Sequence, residues 1–90
     1  MSSKRSLKRY INYVCSDLFA EALAAQLYGE NKDRGQSDMV LTAVLRVHND
    51  FISRISHPEP GMSTKTYFKI LKEDFSKHVN ELADQINALF

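Results

Sequence analysis

Glycine and proline are confined to two short polar stretches of this chain, and that confinement constrains its fold more than any other feature. The first stretch, residues 29–35 (GENKDRG), is bounded by glycines, and the second, residues 57–61 (HPEPG), holds both prolines. The three segments they separate are free of both helix breakers, and each would run about 30–39 Å as a helix. Short connections make sequential helices antiparallel neighbours. The expected fold is therefore all-α, an up-down-up three-helix bundle with helices near residues 6–28, 37–56 and 64–89. A longer helical hairpin that completes its core only as a dimer is the other layout these segments allow.

Apolar spacing supports the helical reading. In the first segment Leu7, Ile11, Val14, Leu18, Ala22 and Ala25 recur at steps of three and four, the period that puts side chains on one face. Gly29 stands where a left-handed C-terminal cap is expected. In the second segment Ser37 reads as the N-cap with Asp38 in the first turn, and Leu41, Val44, His48, Phe51, Ile52 and Ile55 share a face. His57 precedes Pro58, which biases it out of helical geometry. The third segment starts at Ser63 or Thr64, and Phe68, Leu71, Phe75, Val79, Leu82, Ile86 and Leu89 form a narrow seam along it.

The first segment carries more apolar surface than a three-helix bundle needs. Phe19, Leu23 and Leu27 make a second stripe at i, i+4 and i+8, with Ala20 and Ala24 beside it. A helix apolar on several sides is normally buried on several sides, so these three residues are the expected self-association surface of a homodimer. A more central position of this helix in an irregular bundle is the rival explanation. The stretch lacks the Lys/Arg-rich polar face of a membrane-surface helix.

Charge is balanced overall, with 12 basic and 11 acidic residues, but not along the bundle. Folded up-down-up and divided at mid-height, one end holds residues 1–16 and 47–76, with eight basic and four acidic residues. The other end holds four basic and seven acidic residues. Lys4, Arg5, Lys8, Arg9, Lys65 and Lys69 mark the basic end. Cations at a helix N-terminus are mildly unfavourable, so a solvated surface is one explanation for them and binding is another. Such an end fits an acidic protein partner, a nucleic-acid backbone or the acidic end of a second copy. Tyr10 and Tyr13 lie nearby, but two tyrosines with these cations are a thin signal for nucleic acid.

Catalytic and metal chemistry find little footing. Cys15 is the lone cysteine, so no intrachain disulfide can form, which suits a reducing cytoplasm. Zinc sites favour four ligands in close sequence pairs, and no glutamate has a histidine three residues later, as di-iron bundles require. Cys15 and His48 stand at similar heights, but no oxyanion hole accompanies them, and an apolar flank keeps a thiol protonated. His48 is expected to face the core with Leu45, Phe51 and Ile52 around it, binding no metal. His57 and Glu59 are the groups that the stiff HPEPG corner would expose for recognition.

The phrase FISRISHPEPG at residues 51–61, following YINYVCSDLFAE at residues 10–21, resembles a group of short all-helical bacterial proteins with no assigned function. The likeness would cover most of the chain. It implies a bacterial, cytoplasmic protein and supplies no activity, ligand or site residue. Taken together, residues 1–90 read as one helical domain, non-enzymatic and without cofactor, metal or membrane span, working through protein–protein contacts as a homodimer. The alternative is a nucleic-acid-associated accessory protein that uses its basic end.

Overall fold

The three segments are helices throughout. In the computed structural model, which describes residues 4–29 and 34–90, α1 spans Lys4–Tyr28, α2 spans Arg34–Ser56 and α3 spans Thr64–Leu89. The helices pack against one another as an up-down-up bundle about 46 Å long. No strand occurs among the described residues. Nor is any helix among them long and apolar enough to cross a membrane.

The core follows the sequence periodicity closely. Leu7, Ile11, Cys15, Leu18, Ala22 and Ala25 of α1 are buried against Val40, Val44, Phe51 and Ile55 of α2 and Leu71, Phe75, Leu82, Ile86 and Leu89 of α3. Phe51 sits at the junction of α2 with α3. Its ring meets Phe75 edge-on at 5.2 Å and His78 at 5.5 Å, and the Arg54 guanidinium lies 4.6 Å above it. Phe75 in turn meets Tyr10 of α1 at 6.0 Å.

Helix starts and stops differ from the expected ones in physically informative ways. Ser37 is not an N-cap. It lies buried one turn inside α2, donates its hydroxyl proton to the Arg34 carbonyl and accepts from Gln26 Nε2. Gln26 also donates to Asp38, so these two α2 residues tie the helix to α1 rather than starting it. Ser63 is a true N-cap, its Oγ accepting from the Thr66 amide. Lys77 to Leu89 continue α3 without a break.

No glycine among the described residues has positive φ, so neither Gly29 nor Gly61 is needed for a left-handed turn. The value of Gly29 is space. Its amide continues the helical pattern to the Ala25 carbonyl, and a Cβ placed there would stand 2.5 Å from that oxygen and 3.0 Å from the Leu89 carbonyl oxygen. Both obstacles are backbone, so they yield poorly. Gly29→Ala is expected to cost about 1–3 kcal/mol through overpacking, read as a lower midpoint in a thermal melt. An unchanged or raised midpoint would show that the end of α3 does not press on Gly29.

α3 packs along the α1–α2 hairpin. Near its start it is tied to α2 through Arg54, Phe51 and Tyr67, and at its finish it closes on the end of α1 at Gly29. A cleft of about 490 Å³ opens between the start of α1 and residues 71–76 of α3. A wider groove of about 750 Å³, lined by Met39, Ala43, Val47 and Ala88 among others, opens between α2 and α3 at the opposite end.

Candidate functional site

α1 positions the first candidate surface. Its buried face points between α2 and α3, so residues about 100° or more round from that face are turned toward α2 or away from the bundle. Phe19 lies on the α2 flank, half-buried against the core, and helps to line a hollow of about 280 Å³ with Cys15, Ser16, Val44, Leu45 and His48. Leu23 and Leu27 are 39% and 60% exposed. The expected stripe therefore divides: Phe19 is largely used inside the bundle, whereas Leu23 and Leu27 remain open. Leu45 of α2, 50% exposed, joins this flank instead of surrounding a buried histidine. The overlooked signal is its position one step beyond the α2 stripe. Ala20 and Ala24 offer little side chain along the next row of α1.

His48 is not a core histidine. It is half-buried between α1 and α2, bonded through Nε2 to the Asn12 side chain and lining the same hollow as Cys15. Asn12 stands on the outer part of α1, so it draws the ring to the flank of the bundle rather than to the layer of Phe51. Cys15 is buried, and its burial pushes the thiol above its ordinary pKa, away from the thiolate that nucleophilic chemistry requires. Among the described residues no three His, Cys, Asp or Glu side chains come together to hold a metal ion.

The basic end is assembled by topology. α1 and α3 run parallel, so their N-terminal halves stand side by side next to the α2–α3 corner. Lys4, Arg5, Arg9, Lys65 and Lys69 are exposed there and Lys8 is half-buried. The four acidic residues of this end are unequal. Asp74 and Asp50 both lie beside Arg54, at 3.1 and 3.8 Å, which gathers two anions and one cation, net −1, on the α2 side of α3. Seven cations then stand against Glu59 and Glu73. At the opposite end the described charges are Arg34, Arg46 and Lys77 against Asp17, Glu21, Asp38, Glu81 and Asp84. Glu30, Lys32 and Asp33 lie outside the described residues.

The HPEPG corner is anchored from α3. Tyr67 donates its hydroxyl proton to the Arg54 carbonyl at 2.8 Å and lies 3.4 Å from the His57 carbonyl. His57 is exposed but its Nδ1 donates to the Ser53 carbonyl at 2.9 Å, which closes the last turn of α2. Glu59 is exposed at the tip, where its carbonyl accepts from the Met62 amide. Nothing in residues 57–61 points to Tyr67, because its role depends on a contact across the corner. Tyr67→Phe is expected to lower stability by about 1 kcal/mol and the melting midpoint by about 4–8 °C. A midpoint unchanged within error would mean that the two prolines hold the corner unaided.

Two surfaces thus stand apart from the ordinary solvated exterior, the open leucines of α1 and the cationic end, and they occupy different parts of the bundle. No protein-family model, characterised protein or solved structure matches this chain.

Proposed function

We propose that this protein is a non-enzymatic interaction module that works as a homodimer, two copies meeting along the outer face of α1. The observation that carries the reading is the exposure of Leu23 and Leu27 on the half of α1 that is apolar on more than one side. Covering a leucine is worth about 1.5–3 kcal/mol relative to leaving it in water, and the partly exposed pair gains a share of that in each copy. Leu23 and Leu27 stand one turn apart on an i±4 ridge that half-buried Phe19 begins, and Ser16, Ala20 and Ala24 leave a shallow groove next to it. Ridges of this kind interdigitate in the commonest class of helix crossing. A two-fold axis is the commonest solution for a homo-oligomer, and one passing near Leu23 keeps the two basic ends at opposite extremes of the dimer.

The surroundings agree with a binding role rather than a catalytic one. The thiol is buried and protonated, His48 is engaged by Asn12, and the hollow between them is small. A single buried cysteine and no disulfide suit the cytoplasm. Light scattering on chromatographed protein at micromolar concentration tests the reading. The expected mass is twice 10.3 kDa, falling toward the monomer on dilution. A monomer throughout would overturn it.

A further inference from the structure

We propose that the cleft between the first halves of α1 and α3 binds single-stranded nucleic acid, with bases stacked on Tyr10 and Tyr13 and phosphates held by Lys65, Lys69 and Lys72. The site is separate from the α1 leucines and does not depend on dimerisation. Its walls are chemically unlike. On the α1 side Tyr10, 55% exposed, lines the cleft, and Tyr13, 77% exposed, stands one helical turn further along. On the α3 side Lys65, Lys69 and Lys72 recur at steps of four and three, which places them in one row along the helix, and all three are exposed. Lys72 and Tyr10 line the same cleft, so the last cation of the row and the first ring of the pair meet there.

Three features favour a nucleic-acid strand over another anion. No acidic residue among the described ones lines the cleft, and Asp50 and Asp74 are held by Arg54 on the α2 side of α3. The first turn of α1 contains no acidic side chain, so the positive end of its dipole adds to the field instead of being neutralised. The exposed rings then supply what a simple polyanion would not use. A flat aromatic face accepts any unpaired base, and a groove of cations beside stacking rings is the common design of sequence-tolerant single-strand binders. A duplex keeps its bases stacked internally and cannot use the rings.

The test is fluorescence anisotropy of a labelled oligothymidylate titrated with the full chain at low and moderate salt. The expected result is binding whose affinity falls with salt with a log–log slope of about −2, as roughly three phosphate contacts imply. Lys69→Glu with Lys72→Glu should weaken binding at least tenfold and flatten that slope. Tyr13→Ala removes a ring that is mostly in solvent, and it should weaken oligothymidylate binding about 5- to 150-fold while leaving heparin binding unchanged. Leu23→Glu should leave oligothymidylate affinity unaltered. Absence of binding at low salt would overturn the proposal. Tighter binding of a duplex would also overturn it, as would indifference of the oligonucleotide to Tyr13→Ala, which would reduce the end to a generic polyanion or acidic-protein surface.

Discussion

Phe51→Ala is expected to lower the thermal midpoint of this bundle by about 12–40 °C, enough to leave much of the chain unfolded at physiological temperature. Phe51 is fully buried, and large-to-small changes of a core phenylalanine cost about 3–5 kcal/mol through lost transfer energy and the cavity left behind. Each kcal/mol moves the midpoint of a domain this size by about 4–8 °C. The total stability of 90 residues is only on the order of 5–13 kcal/mol. The position also concentrates contacts that a cavity elsewhere would spare. The ring joins Phe75 and His78 of α3 and carries the Arg54 guanidinium on its face, so its removal loosens the junction of α2 with α3 and frees a cation that orders the corner. A circular dichroism melt measures the effect. A fall of only a few degrees would show that α2 and α3 are not held through this ring.

Leu23→Glu is expected to abolish self-association while leaving the melt of the isolated chain nearly unchanged. The side chain is 39% exposed, so a carboxylate there reaches water in the monomer. In the dimer the same substitution places two like charges close to the two-fold axis and removes apolar area from both copies. Loss of about 3–5 kcal/mol from the pair corresponds to a dissociation constant raised roughly 10²- to 10⁴-fold. Sedimentation velocity separates the outcomes. A dimer that survives the substitution would place the interface elsewhere on the bundle.

Most of the fold was legible because it rests on local signals. Glycine and proline fall only between helices or at their ends, and the steps of four and seven in Leu7–Ile11–Leu18 and Leu71–Phe75–Leu82–Ile86 fall on the buried faces observed. Within α1, Cys15 is buried where the stripe placed Val14, and the departures at Ser37, His48 and Gly29 involve contacts between residues far apart in the chain. Ser37 carries good capping chemistry, but Gln26 of α1 engages its hydroxyl and the helix starts a turn earlier. His48 lies on the edge of the α2 stripe, and only Asn12, 36 residues away, decides which way the ring turns. Gly29 invites a conformational explanation, yet what it supplies is room for the end of α3.

The candidate surfaces were half legible for the same reason. Counting charges by height located the basic end, but not that Asp50 and Asp74 gather around Arg54 on the α2 side of α3. Tyr10 and Tyr13 could be named from the sequence, whereas their exposure and the position of Tyr10 in a cleft with Lys72 depend on how α3 packs on α1. The stripe of Phe19, Leu23 and Leu27 was visible as an excess of apolar residues. Only packing showed that Phe19 is taken up by the flank of α2 while the two leucines stay open.

The central claim, that two copies meet on the outer face of α1 with Leu23 near the axis, is tested most directly by symmetric cross-linking. A residue near a two-fold axis lies close to its own copy, and a disulfide forms only when the two Cα atoms come within about 7 Å. In a Cys15→Ala background, Leu23→Cys is expected to give a disulfide-linked dimer on mild oxidation at micromolar concentration. Ile70→Cys, an exposed position on α3 away from that face, is expected to remain monomeric under the same conditions. Failure of the Leu23→Cys chain to cross-link, or equal cross-linking of the Ile70→Cys chain, would contradict the account.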